Sequence, residues 1–356
     1  MKHPLVRFAV TALVSLTALY FAFRGVKYDD LMAELAHTNV LLILLGVLIL
    51  FCAHLCRAWR WTVILRPIKK GTSVWGAFRA IMAGYGMNNI IPRSGELIRP
   101  FIFAKNEKLF MSGAVATIMI ERVVDLISNL VAMLLVFVVY PTQIAYGFPA
   151  IEAARTPVVI GIVLVLMLVG VMFFRTAATE SAIHRLIRKW PSRMRIPIQR
   201  AATEFATGLE GVRASGSVAV TLSTLGIWVF YVGSMYLWLY AFPEPQFALI
   251  GILGAFFLRV VSGLAFLIPT PGGVGSYHYF ISQSLFRVFG VPLTAGIAYA
   301  TVTNAAFNSI TTIIGLTVLA VEGISFRSFV TGGIAAKEEG LQHAHARAAT
   351  VDAPLQ

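Results

Sequence analysis

An all-α polytopic membrane protein is the fold class the sequence predicts, with about seven to eight membrane segments. Two of these are expected to be re-entrant helical hairpins within an inverted repeat. Three observations carry the class. Mean hydropathy is +0.79 and 13% of the 356 residues are charged, about half the ~25% of an average soluble chain. Apolar runs long enough for a ~30 Å hydrocarbon core recur along the sequence. The runs are continuous, without the alternation of a membrane β-strand.

The first run, LVRFAVTALVSLTALYFAF over 5–23, follows Lys2 and His3. It is too long for a signal-peptide core and has no clear small-x-small cleavage site after it, so it is expected to remain as a membrane helix. Further spans are expected over 40–57, 113–139, 156–174, 217–241, 247–268 and 293–321. Two more stretches, 73–91 and 276–289, are apolar but interrupted.

The polar segments set the topology. Segment 57–70, RAWRWTVILRPIKK, holds Arg57, Arg60, Arg66, Lys69 and Lys70 and no acid. Its Trp and Arg residues read as an interfacial anchor. Segment 175–216 holds eight Lys/Arg against three Glu. Both belong on the cytoplasmic side, and the mixed linkers 24–39 and 140–155 outside. Within the long loop, IHRLIRKWPSRMRIPI (183–198) fits an amphipathic helix on anionic lipid as well as a plain topology-setting loop. The net charge of +13 lies in such loops, so nucleic acid is rejected as a partner. Cys52 and Cys56, four apart on one helix, make a poor disulfide and too small a ligand set for a metal, and read as small core residues. No metal or cofactor is expected.

The segment IIPRSGELIRP (90–100) tests this topology. If 73–91 crossed the membrane fully, the basic 175–216 loop would fall outside. If 73–91 instead enters from the cytoplasm, turns near Pro92 and returns through 94–108, every loop takes its expected side. Proline and glycine suit such a break. Residues 267–275, LIPTPGGVG, repeat the pattern. A second hairpin, 247–268 with 276–289, then enters from outside, and 293–321 returns the chain to the cytoplasm. Both termini are expected there, with a flexible tail over 323–356 beyond a membrane domain over 1–322. IIPRSG and LIPTPG share a local pattern, each 52 residues after its unit begins near 40 and 217. Units 40–139 and 217–321 enter the membrane with opposite sense, the inverted repeat of secondary transporters.

Charges at these breaks are candidates for function, because a charge at the bilayer centre costs ~2.5–3.5 kcal/mol on insertion scales. Arg93, Glu96 and Arg99 recur at three-residue spacing, so neighbours can pair along a helix. Arg99 also fits a side chain snorkelling to the cytoplasmic surface. ERVVD places Glu121 and Asp125 on one face, with Arg122 beside them. This group reads as a coupling cluster or as a staple between helices. Arg259 is a cation without an obvious local acid. The returning arms start near Ser94 and Ser276, and their N-termini attract anions. Ser94 is placed to cap its helix. The glycines Gly272, Gly273 and Gly275 let backbone approach a ligand. Arg93, Arg99 and Arg259 are thus expected to converge with the two N-termini on a phosphate, which arginine binds bidentately. His278 reads as a buried polar residue or as a proton-handling group.

PRSGELIRP, then ERVVD some twenty-five residues on, then PTPGGVG: in this order the motifs resemble the transmembrane, flippase-like part of lysylphosphatidylglycerol synthases. The resemblance covers most of 5–322 and implies a bundle with re-entrant hairpins that moves lipid between leaflets of a bacterial plasma membrane. It implies site roles for Arg93, Glu96 and Arg99, for Glu121, Arg122 and Asp125, and for Gly272, Gly273 and Gly275. Two departures stand out. The soluble aminoacyl-transferase domain is missing, so lysyl transfer is not expected of this chain. His278 stands where relatives often carry glutamate.

The leading expectation is a flippase or scramblase for a phosphate-bearing phospholipid or polyprenyl-phosphate lipid, its headgroup bound between the hairpin tips. The chain has no GxxxxGK[ST] phosphate loop, so an ion gradient or no energy input fits better than nucleotide hydrolysis. Two other classes compete. One is a non-transporting partner of an envelope-lipid or glycan synthesis complex, docking through the 175–213 loop. The other is a membrane lipid phosphatase or transferase using His278, for which one histidine is thin support. A homo-oligomer is compatible with each.

Overall fold

The computed structural model describes residues 4–324, apart from residues 92 and 110 and most of 189–215. In chain order its helices are α1 (Pro4–Phe23), α2 (Tyr28–Ala36), α3 (Val40–Leu65), α4 (Val74–Ile90), α5 (Gly95–Glu107), α6 (Met111–Val139), α7 (Pro141–Gly147), α8 (Pro149–Ala153), α9 (Arg155–Phe174) and α10 (Thr176–Leu186). After the long loop come α11 (Ser217–Leu239), α12 (Gln246–Leu249), α13 (Gly251–Ala265), α14 (Ser276–Phe289) and α15 (Leu293–Val321). No strand occurs among the described residues. Among the described residues, four helices are long and apolar enough to cross a membrane: α3, the Gly113–Val139 part of α6, α11 and α15. Shorter apolar helices lie within α1, α9 and α13.

The interrupted stretches form short helices folded back on turns. α4 and α5 have 17 and 13 residues, about 26 and 20 Å at 1.5 Å per residue, less than the ~30 Å core. Gly95 makes their close approach possible, since any Cβ there would run into the Gly84 carbonyl. Its N–H donates to Asn88 Oδ1 (2.7 Å). α13 and α14 have 15 and 14 residues and pack together in the same way. Between them Pro271–Gly273 form a single 3-10 turn, and Gly272, Gly273 and Gly275 all have positive φ. The order long, short, short, long therefore occurs twice, as 26, 17, 13 and 29 residues in α3–α6 and 23, 15, 14 and 29 in α11 and α13–α15.

Packing rests on small residues at crossings. α3 meets α11 at Gly46, where the Trp238 ring fills the space a side chain would need. Trp238 Nε1 donates to the Ile43 carbonyl (3.0 Å). α4 meets α15 at Gly86 and Gly315, and a Cβ on Gly86 would lie 2.9 Å from Gly315 Cα. One apolar core gathers Leu258, Ile281, Leu285 and Tyr299. A second gathers Trp61, Ile81, Ile98 and Phe103 around α3, α4 and α5.

Several expectations need correction. The second span continues as one helix to Leu65 instead of stopping at 57, because Trp, Val, Ile and Leu keep its inner face apolar past the arginines. RAWRW is therefore not an interfacial anchor. Arg57, Arg60 and Trp61 are buried, and of this cluster only Trp59 is clearly exposed. The linkers 24–39 and 140–155 contain helices α2, α7 and α8. Segment 247–268 breaks at Gly251, which has φ 67°. Cys52 and Cys56 are free and only partly buried. Of 183–198, residues 189, 192–194 and 196–198 lie outside the described residues, as do Pro92, where the first turn is expected, and the tail from 325.

Candidate functional site

α3 sets His54, Arg57 and Arg60 on one face at three-residue spacing, with Trp61 one turn beyond Arg57. α6 sets Glu121 and Asp125 four apart facing them. Glu121 is fully buried. It accepts from Arg57 Nε (2.6 Å), from Arg60 Nη2 (3.5 Å) and from Arg99 of α5. Asp125 accepts from both Arg57 and Arg60. Arg60 Nη1 also donates to Thr224 Oγ1 of α11 (3.1 Å). Arg99 stacks over Trp61, 4.1 Å from the ring, a cation–π contact that strengthens as water is excluded. Trp61 is fixed by its Nε1 donating to Thr117 Oγ1 (3.0 Å).

Three guanidinium groups thus meet two carboxylates among apolar spans. Each buried ion costs several kcal/mol to desolvate, which only close pairing repays. The remaining donor of Arg57, Nη1, reaches two phenols, Tyr85 of α4 (2.9 Å) and Tyr231 of α11 (3.3 Å). Arg259 of α13 lies 4.3 Å over the Tyr231 ring and 5.5 Å from Trp228. It makes no ion pair among the described residues. His54 is packed against Tyr85, Tyr231 and Phe307, and neither of its ring nitrogens has a hydrogen-bond partner among the described residues.

A polar cluster joins the two turns. Asn304 and Asn308 of α15 donate to the Gly272 carbonyl at 3.0 and 2.6 Å. Asn89, near the end of α4, donates to the Asn308 carbonyl (3.2 Å) and to the hydroxyls of Thr311 and Thr312 (3.0 and 2.9 Å).

The structure brings some of the expected site residues together and leaves others apart. Arg99, Glu121 and Asp125 share the ion cluster, so Arg99 is not a snorkelling side chain. Arg259 adjoins it through Tyr231. Arg93, Glu96 and Arg122 are exposed and join no ion pair among the described residues. The Arg93–Glu96–Arg99 series does not pair along its helix, because Arg99 turns inward to Glu121. Arg93 has the left-handed φ of 65° at the turn. Ser94 does not cap α5, since its hydroxyl donates back to the Ile91 carbonyl (2.7 Å). Ser276 bonds within its own loop, to Thr270 Oγ1 (2.9 Å) and the Gly273 carbonyl (3.2 Å). His278 Nδ1 accepts from the Gly275 N–H at 3.4 Å, which ties it to that loop as well. Against Gly275 lies α1, whose Ser15 Oγ donates to the Val274 carbonyl (2.7 Å).

Arg57, Arg60, His54, Tyr85 and Tyr231 are absent from the expected site. A signal was available for the first three. Their three-residue recurrence runs through a helix whose apolar character does not end at 57, and the acids of ERVVD needed more than one cation.

A family model described as the lysylphosphatidylglycerol synthase TM region matches residues 6–315. A UPF0104 membrane protein of Methanothermobacter thermautotrophicus is 23% identical over 288 residues, which cover 78% of this chain and 83% of that one. A protein named glycosyltransferase AglD, of Haloferax volcanii, is 23% identical over 338 residues and 87% of this chain. The chain spans about half the length of that relative, 54%.

Proposed function

Because the chain belongs to the family of the lysylphosphatidylglycerol synthase TM region, we propose that it moves a phosphate-bearing lipid between membrane leaflets. The observation that carries the reading is the buried ion cluster of Arg57, Arg60, Arg99, Glu121 and Asp125 with Arg259 beside it. Ionisable groups inside a membrane bundle are costly and mark substrate paths. A purely structural staple would be served by matched charges, yet here the cations exceed the acids. The helix pairs α4–α5 and α13–α14 act as re-entrant hairpins of an inverted repeat. The repeated long, short, short, long order supports this, as does the contact of the two turns at Asn89, Gly272 and Asn308. Arg93 and Glu96, exposed at the first turn, stand where a headgroup arrives. Its acyl or prenyl chains stay in the bilayer, and rocking of one repeat against the other exposes the headgroup to each leaflet in turn. Glu121 and Asp125 hold the arginines in place and are the acids through which an ion gradient would couple.

The test is translocation in proteoliposomes holding a fluorescent phosphatidylglycerol, phosphatidylethanolamine or polyprenyl phosphate, with dithionite bleaching only the outer leaflet. The reading predicts bleaching beyond the outer-leaflet half for at least one lipid. Bleaching equal to protein-free vesicles for all of them would refute it.

A second reading has one specific observation in its favour, the relative named as a glycosyltransferase. On that reading the membrane domain serves envelope glycan or lipid synthesis as a partner without translocating lipid. Substitutions that leave the bundle folded would then leave lipid distribution unchanged.

A further inference from the structure

We propose that the group formed by His54, Tyr85, Tyr231 and Arg259 is an oxyanion site for a phosphate ester, separate from the turns where the hairpins meet. Tyr85 and Tyr231 each use a phenol oxygen to accept from Arg57 Nη1, at 2.9 and 3.3 Å. The hydrogen of each hydroxyl has no acceptor among the described residues. Arg259 presents a guanidinium fork with five N–H donors, held over Tyr231 at 4.3 Å, with no hydrogen-bond or ion-pair acceptor among the described residues. His54, 2% exposed, sits between the two phenols with ring centroids 4.8 and 6.0 Å away, and both its nitrogens are unpartnered among the described residues. Side chains of four elements, α3, α4, α11 and α13, thus meet in one group whose phenol hydrogens, guanidinium fork and imidazole have no hydrogen-bond partner among the described residues.

Charge points the same way. Among the described residues, Arg57, Arg60, Arg99 and Arg259 have Glu121 and Asp125 as their acids, which leaves an excess of two positive charges. The two acids are already held by Arg57, Arg60 and Arg99, so the excess is felt at the Arg259 side. A cation is therefore excluded, and a sugar, which needs acceptors for its hydroxyls, is a poor fit. A carboxylate offers two oxygens, whereas donors from several directions suit a tetrahedral oxyanion. Arg is the side chain whose fork matches phosphate geometry. A buried polar group without its partner costs about 1–3 kcal/mol. His54 is such a group, and with the two free phenol hydrogens and the Arg259 fork beside it, one ligand would satisfy them together. Phosphate of a lipid headgroup and free phosphate share this chemistry. The site rests on the translocation reading only for the route by which lipid arrives.

Isothermal titration of the full chain in dodecyl maltoside with dihexanoyl phosphatidylglycerol tests the site without needing transport. The variants are Tyr85→Phe with Tyr231→Phe, which removes both hydroxyl donors and keeps both rings, and Arg259→Gln. The wild type should bind saturably, and each variant should weaken binding by about tenfold or more, equivalent to ~1.4 kcal/mol. Dihexanoylglycerol, which lacks phosphate, should not compete. Competition by inorganic phosphate shows that the anion alone suffices, and its failure to compete assigns the site to the lipid ester. The proposal is overturned if wild type does not bind. It is also overturned if dihexanoylglycerol competes equally, or if either variant, monodisperse and with wild-type thermal stability, binds as wild type does. If binding follows the prediction but proteoliposomes show no translocation, the transport reading falls and the site stands. If translocation is robust and the variants bind and transport normally, the site falls and the transport reading stands.

Discussion

Neutralising Glu121 should destabilise the protein more than neutralising Asp125, although each removes one negative charge from the same cluster. Glu121 is fully buried and is the one acid paired with Arg99, while it also receives Arg57 and Arg60. Asp125 is about one-fifth exposed and serves Arg57 and Arg60, both of which keep Glu121 when it is lost. Glu121→Gln therefore leaves Arg99 buried without a counter-charge, with a neutral amide and the Trp61 face against it. Removing one partner of a buried ion pair costs about 3–5 kcal/mol, and at ~2 °C per kcal/mol this is a fall in Tm of roughly 6–10 °C. Asp125→Asn should cost less than half of that. Thermal unfolding followed by fluorescence-detected size exclusion in detergent measures both. The double variant Arg99→Gln/Glu121→Gln should be less destabilised than the sum of its single variants, because the orphaned cation is gone. Additive effects, or an Asp125→Asn variant less stable than Glu121→Gln, would refute this account of the cluster.

Other consequences follow from the same contacts. Arg93→Gln should leave Tm nearly unchanged, within the ~0.5 kcal/mol of an ordinary surface change, while lowering lipid flux in proteoliposomes; a large fall in Tm would show that the exposed turn arginine is structural. Gly95→Ala should cost about 1–3 kcal/mol by forcing α4 and α5 apart, whereas Gly161→Ala, which meets no atom within 4 Å, should be neutral or slightly stabilising; equal effects would contradict the close approach at Gly84. Gly86→Leu and Gly315→Leu should each reduce the yield of monodisperse protein, since α4 and α15 touch there through backbone; normal yield and Tm for both would remove that crossing from the account.

Much of the fold was legible in the sequence because membrane helices announce themselves by length and hydropathy. Breaks at IIPRSG and LIPTPG were readable from proline and glycine, and the helices on either side are indeed too short to span the core. The site was legible only in part. Glu121, Asp125 and Arg99 stand out as charges in apolar surroundings, and Arg259 stands out as a cation without an acid nearby in sequence. Arg57 and Arg60 looked like the basic edge of a span, because a run of Arg and Trp near the end of an apolar segment has the composition of an interfacial anchor. Only the position of α6 against α3 shows that they face inward. Tyr85, Tyr231 and His54 carry no motif and sit 177 residues apart at the extremes of the group His54 to Tyr231, so their convergence is a property of tertiary packing. Ser94 and Ser276 looked like free helix starts, and local hydrogen bonds within each turn took up their hydroxyls.

A headgroup site among these arginines can be read from a mass-spectrometric census of lipids retained after mild detergent purification, wild type beside Arg259→Gln and Arg99→Gln. A phosphate-bearing lipid should be enriched in the wild type over the host membrane and fall toward the host proportion in both variants. Retained lipid that mirrors the host membrane in the wild type, or an enrichment that both variants keep, would contradict such a site.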